Sequence, residues 1–224
     1  AAGDVTLNGK GQLAGFKTSR FLQRWGAFDQ RVAGSLEYRR YRNQCAIADL
    51  PPGACGAAGE SVTLVPAALE YTAERSGELP TALVIRLQRD LGWGSSARKL
   101  EASRVGARAR AWPIRFGASM LVPVGDDWQL TFKTSGQWSR HALVPGEMFG
   151  AGGPGTVRGY REREISGDIG VSGSVEFGGL GLLTPEAGGD TAVHLFAFAD
   201  AAEVRNRGGL ECLEGAVRCR IASI

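Results

Sequence analysis

The chain has 224 residues, 26 Lys and Arg against 23 Asp and Glu, a formal net charge of +3, and 33 glycines. Its basic residues are scattered among the acidic ones without a dense stripe, which argues against nucleic acid as a partner. No apolar run approaches the ~20 residues of a membrane-spanning helix; the best candidate, residues 64–69, is short and contains Pro66.

The length admits one or two ordinary domains or a single large β structure. The chain opens on Ala1-Ala2-Gly3-Asp4 without a signal peptide, so it reads as an internal piece of a longer protein. Strand-period alternation dominates, and helix-period stripes are nearly absent. Residues 15–25 carry a mixed pattern, and 32–40 and 62–73 alternate weakly. Over Thr81–Asp90, Leu83, Ile85 and Leu87 oppose Arg86, Gln88 and Asp90. Ile114–Val124 places Ile114, Phe116, Ala118, Met120, Val122 and Val124 on one side. Residues 128–139 are the clearest, with Trp128, Leu130, Phe132, Thr134 and Trp138 against Gln129, Thr131, Lys133, Ser135, Gln137 and Ser139. Residues 167–177 repeat the pattern, with Ile169, Val171, Val175 and Phe177 against Asp168, Ser172, Ser174 and Glu176, and 193–204 close the series.

The connections alternate in length. Short turns fall at 26–29, 76–80 and 125–127, and long polar loops at 43–61, 92–111, 142–166 and 206–220, with 178–190 as the one long exception among the turns. Strands of ~9–11 residues, apolar outside and polar inside, with long loops at one end, are the signature of an outer-membrane barrel. A soluble sandwich would not segregate its loops by length. The expected fold is therefore all-β, an antiparallel transmembrane β-barrel of which this chain supplies about eight strands and the start of another. An open sheet in lipid would leave unpaired edges, so further strands are expected on both sides. Lys133, Arg86, Arg115, Asp168 and Glu176 should face the lumen, and Trp128, Trp138, Trp112, Tyr38 and Tyr41 should form interfacial girdles.

The four cysteines make two local pairs, Cys45 with Cys55 and Cys212 with Cys219, each inside a long loop. Neither spacing suits zinc and no histidine lies near either pair, which favours loop disulfides in an oxidising compartment over a metal site. Closing loops of this size stabilises by roughly 2–3 kcal/mol each.

The most telling segment is Val157-Arg158-Gly159-Tyr160, which follows a glycine-rich run over 150–156 and precedes the alternation at 167–177. Its arginine is either a solvated turn residue or a cation held in a confined polar space. Asp200 favours the second reading. It shares a strand face with His194, Phe196 and Phe198, opposite Val193, Leu195, Ala197 and Ala199. A carboxylate on the lipid side would be costly, so that face should be luminal. A guanidinium also presents a planar fork that suits a carboxylate.

Residues 143–160, with Ser166-Gly167-Asp168-Ile169-Gly170 and Glu176-Phe177, resemble the two-partner secretion transporters (TpsB, haemolysin-secretion type). The resemblance implies that the Val157 to Tyr160 motif sits at the tip of an extracellular loop folded back into the pore. It implies that Arg158 pairs with the aspartate of a Phe-x-Asp-x-Gly motif, here Phe198-Ala199-Asp200-Ala201-Ala202, with alanine replacing the final glycine. It further implies that residues 1–224 belong to one C-terminal barrel domain, with POTRA domains and closing strands outside this chain. The barrel would be monomeric, in the outer membrane of a Gram-negative bacterium, in contact with lipid and lipopolysaccharide. Its partner would be a large unfolded secreted passenger (TpsA-like), and no cofactor or metal is implied. An insertase of the same superfamily, folding other barrels into the membrane, is the alternative.

Other signals carry less. Gly150, Gly152 and Gly155 have the spacing of a dinucleotide fingerprint, but Pro154 interrupts it and no helix is expected to follow. His141 and His194 are the only histidines, and Gly170-Val171-Ser172-Gly173-Ser174 lacks the spacing of a nucleophile elbow, so an outer-membrane hydrolase is not the expected activity. Arg104, Arg108 and Arg110 form a basic loop cluster within reach of lipopolysaccharide phosphates, although a solvated loop face is the ordinary explanation.

Overall fold

The computed structural model describes residues 5–47, 55–179, 195–213 and 215–224. Its wall is an antiparallel sheet running β1 (Val5–Phe21), β2 (Asp29–Ile47), β4 (Pro66–Arg75), β5 (Thr81–Asp90), β6 (Ile114–Val124), β7 (Trp128–Trp138), β10 (Ile169–Gly179), β11 (Phe196–Arg205) and β12 (Arg218–Ser223). Each wall strand pairs with the next in this order, so the topology is a meander. The short β3 (Val62–Leu64) extends the pairing of β2 beyond β4. A separate hairpin, β8 (Phe149–Ala151) with β9 (Ile165–Gly167), lies inside the long β7–β10 connection. No helix among the described residues is long and apolar enough to cross a membrane.

Period-two alternation sets the two faces of the wall. Phe16, Leu36, Leu69, Ile85, Phe116, Val171, Val175 and Phe177 are all exposed on the outer face. Aromatic contacts mark both ends of this apolar band. Trp128 stacks on Phe177 with ring centroids 4.9 Å apart, and Trp112 meets Trp138 edge-on at 5.5 Å. The inner face is charged and internally paired. Lys17 reaches Glu70 at 2.8 Å, Arg86 reaches Glu70 at 3.3 Å, and Glu37 accepts from both Arg39 and Arg86. Opposite charges on the same, adjacent or next-but-one strand keep these groups compensated inside the wall.

Several boundaries differ from the sequence expectation. β1 and β2 are much longer than the patterns over 15–25 and 32–40, because their backbone pairing continues from Phe21↔Arg31 to Val5↔Ile47. Pairing of this kind needs no apolar alternation. A short helix, α1 (Ala97–Ser103), forms in the β5–β6 loop, where Ser96 Oγ accepts the Lys99 N–H at 3.4 Å. Seven residues are too few to show a helical period. Of the 178–190 linker only Gly178 and Gly179 are described, and they end β10; residues 180–194 lie outside the described residues, as does His194.

Among the described residues, buried apolar side chains form two small clusters under the loops. One joins Ala151, Val157 and Ile165 of the inward loop to Ala202, Val204 and Cys219 of the wall. The other joins Val62, Leu64, Leu100, Ala107 and Val144, and fixes the α1 loop over β3.

Candidate functional site

The loop from 139 to 168 leaves β7, makes a 3-10 turn at Pro145–Glu147, and enters the β8–β9 hairpin. Its tip turns back on itself through Gly152 and Gly153, at φ +112° and +86°. A Cβ on Gly152 would stand 2.3 Å from the Arg161 carbonyl oxygen, so the close chain crossing requires glycine there. Thr156 Oγ1 donates to the Gly152 carbonyl and accepts the Gly152 N–H, both at 2.9 Å, closing the turn.

Val157 is fully buried in the apolar cluster against β11 and β12, which presents Arg158 to the wall. Three donors of Arg158 converge on Asp200: the backbone N–H on Oδ2 at 3.0 Å, Nε on Oδ2 at 2.7 Å and Nη2 on Oδ1 at 2.8 Å. Nη2 also reaches Ser174 Oγ at 3.2 Å, and Nη1 donates to Glu176 Oε2. The guanidinium lies over the Phe198 ring, 3.6 Å from its centroid. This places every donor group of the fork on a named partner. The register explains the grouping, since Ser174 faces Asp200 and Glu176 faces Phe198 across β10 and β11. The Asp200 side chain is 1% exposed and that of Arg158 24%. A polar cavity of about 190 Å³ borders the pair, lined by Lys133, Thr131, Ser135 and Glu176 among others. The Tyr160 hydroxyl donates to the Ala222 carbonyl at 3.2 Å, and Gly159 takes φ +85° between it and Arg158.

A second socket, at the root of the same loop, was not singled out from the sequence. Glu147 is buried, its side chain only 3% exposed. It accepts from Arg39 Nη1 at 2.6 Å, Tyr41 Oη at 2.7 Å, Arg115 Nη2 at 2.9 Å and Gln88 Nε2 at 3.0 Å, on strands β2, β5 and β6. Gln137 of β7 adds a bond to the Glu147 carbonyl at 3.1 Å. Burial alone would raise the carboxyl's pKa, but Arg115, Arg39 and the Tyr41 hydrogen bond outweigh it and hold the value down to about 2. Tyr41, expected in the outer girdle, instead points inward. It lies on the Ser35, Glu37, Arg39 side of β2, while Tyr38 stays on the outer side. The clue to Glu147 in the sequence was a lone acid inside the otherwise uncharged stretch 143–149.

Asp168 departs from its expected place on an open luminal face. It sits in the bend between β9 and β10 and is completely buried where three loops meet. Its oxygens accept from Arg104 Nη1 at 2.6 Å and Nη2 at 3.0 Å, from the Leu143 N–H at 2.7 Å and from the Arg207 N–H at 2.8 Å. Arg104 is therefore a structural cation and not a solvated loop residue, whereas Arg108 and Arg110 are exposed. Glu176 and Lys133 line the polar cavity beside Arg158 and Asp200.

Cys45 is bonded to Cys55 with a Cα separation of 6.0 Å, and Cys212 to Cys219 with 6.2 Å. The second bridge fixes the β11–β12 loop directly over the cluster that seats Val157. Ser139 Oγ donates to the His141 carbonyl at 2.7 Å, a backbone contact with no part in a nucleophile arrangement. Burial, with Arg108, Arg140 and Arg207 nearby, lowers the His141 pKa. No group of three or more His, Cys, Asp or Glu side chains suited to a metal occurs among the described residues.

An antiparallel wall with an apolar outer face, a charged inner face and a long loop packed on that inner face is the architecture of a transmembrane β-barrel wall. Residues 1–211 match the family described as haemolysin secretion/activation protein ShlB/FhaC/HecB, and the chain belongs to that family. Among solved structures it is similar to CdiB from Escherichia coli, with a TM-score of 0.77 and 20% identity, covering 97% of this chain and 38% of that one. It is also similar to CdiB from Acinetobacter baumannii, with a TM-score of 0.69 and 20% identity, covering 97% and 36%. The chain thus spans under two fifths of the length of these structures (38% and 36%), and the likeness is one of fold. No curated protein sequence matches it.

Proposed function

We propose that this chain forms part of the wall, and the internal loop, of an outer-membrane pore that exports a large unfolded secreted protein from a Gram-negative bacterium. In this reading residues 1–224 belong to a single monomeric C-terminal barrel, with POTRA domains and closing strands elsewhere in the protein. The outer face meets outer-membrane lipid and lipopolysaccharide. The pore uses no cofactor and catalyses no reaction.

The observation that carries the reading is the convergence of three Arg158 donors on the buried carboxylate of Asp200. Such a fork-to-carboxylate contact holds the loop tip in one orientation, which a lysine could not do. While the tip is seated, the loop lies on the luminal face. The seated tip fixes the resting pore in its secretion-competent shape, and the arriving passenger displaces the tip; a pore whose tip is never seated leaks ions but does not engage the passenger. The polar cavity beside Arg158 supports this, because water there can take over the hydrogen bonds as the pair separates. The root at Glu147 has no such access and stays seated as the tip swings. Lys133, Glu176 and Phe198 then belong to the surface that the tip vacates.

The test is charge exchange in the full-length transporter, measured as passenger released into the medium. Arg158→Asp and Asp200→Arg should each abolish release, and the double exchange should restore part of it. Normal release from both single variants would overturn the latch.

A further inference from the structure

We propose that Arg205, Arg218 and Arg220 form a binding site on the outer wall for the phosphorylated headgroup of lipopolysaccharide. The proposal rests on the reading above that the apolar face meets lipid. It adds a defined site and a ligand.

The register brings these residues together. Arg205 stands opposite Arg218, and Glu203 opposite Arg220, at the ends of β11 and β12 next to the long 206–217 loop. Their intervening neighbours Ala202, Val204 and Cys219 are buried under the inward loop, so by strand alternation all three arginines project outward. The side chains of Arg218 and Arg220 are 56% and 67% exposed. Glu203 accepts from Nε of Arg218 at 2.5 Å and from Nε of Arg220 at 2.6 Å. Each guanidinium is thereby oriented through Nε, while its two terminal amino groups remain available for another anion. Three cations and one carboxylate leave a net charge of two positive units (3 − 1) on this patch.

The surface on the membrane side of this patch is of a different kind. Ala197, Ala199 and Ala201 of β11 and Ala222 of β12 continue the same outward rows. Ala201 and Ala222, with Gly173 and Val171 of β10, line a groove of about 530 Å³ whose lining also includes Arg220, Glu203 and, from the loop, Tyr160. Small side chains flanked by the exposed Val171 and Val175 leave a channel suited to an acyl chain. Charges on the lipid face are tolerated only near the interface, which puts the arginines at headgroup level on the side of the long loops. Guanidinium forks bind phosphate bidentately. A headgroup with more than one phosphate can engage several forks along two paired strands, where a phospholipid with a single phosphate engages one. That chemistry, and the outer-leaflet position, point to lipopolysaccharide.

The test uses full-length protein purified from its outer membrane, with bound lipopolysaccharide per barrel counted by mass spectrometry. The triple variant R205Q/R218Q/R220Q should lose about ten-fold or more of the wild-type occupancy, and R98Q/K99Q on the exposed face of α1 should lose none. Delipidated wild type should rebind intact lipopolysaccharide but not its dephosphorylated form, and should not be saturated by phosphatidylglycerol vesicles. Unchanged occupancy in the triple variant, or equal binding of phosphatidylglycerol, would overturn the site. Wild-type protein that failed to enter vesicles at all would refute the barrel reading instead, a distinct outcome. Heat-modifiable migration of the triple variant on gels checks that it has folded.

Discussion

The two sockets of the inward loop are built with opposite polarity. At its tip the loop brings a cation, Arg158, to an acidic wall formed by Asp200 and Glu176. At its root it brings an anion, Glu147, to a basic wall formed by Arg39 and Arg115. The loop therefore docks as a dipole across the inner face, and the reversed orientation would set like charges against each other. Electrostatic complementarity of this kind specifies orientation more than it adds raw affinity. The sockets also differ in access to water: Arg158 is about a quarter exposed beside a cavity, whereas Glu147 is only 3% exposed. The first is suited to release and the second to permanence.

The largest expected effect comes from emptying the permanent socket. Glu147→Ala would strip Tyr41 and Arg115 of their carboxylate and leave Arg39 with Glu37 alone, and losing one partner of a buried pair costs about 3–5 kcal/mol. Heat-modifiability of the purified barrel should shift more for this variant than for Arg158→Ala; the opposite order would erase the distinction between the sockets. Next comes Gly146→Ala. Its new Cβ would stand 2.6 Å from the Tyr41 ring, and overpacking of this kind costs roughly 1–3 kcal/mol. Limited proteolysis of the 139–168 loop in intact cells should reveal the displaced root.

At the tip the effects are smaller in energy and larger in transport. Arg158→Lys keeps the charge but loses the fork on Asp200 and most of the stacking on Phe198, a loss of about 1–2 kcal/mol. Passenger release should fall without any change in barrel stability. Phe198→Leu removes only the ring face beneath the guanidinium, worth about 0.5–1 kcal/mol at a partly hydrated site. It should shorten the seated lifetime of the tip in single-channel records.

The pH response separates the sockets most gently. Glu147 has a carboxyl pKa held down to about 2, against an ordinary value of roughly 4.3 in the unfolded chain. A depressed pKa contributes stability that is complete above the unfolded value and is lost as pH falls through the folded one. Root seating, followed by cross-linking position 147's neighbour Met148 to the wall, should be constant above about pH 5 and decline only between about pH 4 and 2. A decline beginning near pH 6 would mean that Glu147 is not held by its arginines.

Much of the wall was legible because alternation and turn chemistry agree there. The expected bounds of β5 and β6 coincide with the observed strands, and the family resemblance is borne out by the match over residues 1–211. β2 was cut short for a physical reason. Beyond Tyr38 its residues Arg39, Arg40, Tyr41, Arg42, Asn43 and Gln44 are polar on both faces, so the pattern vanishes while the backbone ladder continues. Arg158 and Asp200 could be placed opposite each other from the motif and from strand parity. Glu147 could not, because its partners lie on three strands as far as 108 residues away. Asp168 and Arg104 were missed as a pair because loop charges look solvated until the loops fold over them.

The most direct test of the latch is ionic conductance of the full-length transporter in planar bilayers. Wild type should show rare, brief openings, Arg158→Asp and Asp200→Arg should each raise the open fraction, and the double exchange should return it toward wild type. Single variants that stay as closed as wild type, or a double exchange no more closed than either, would contradict the account.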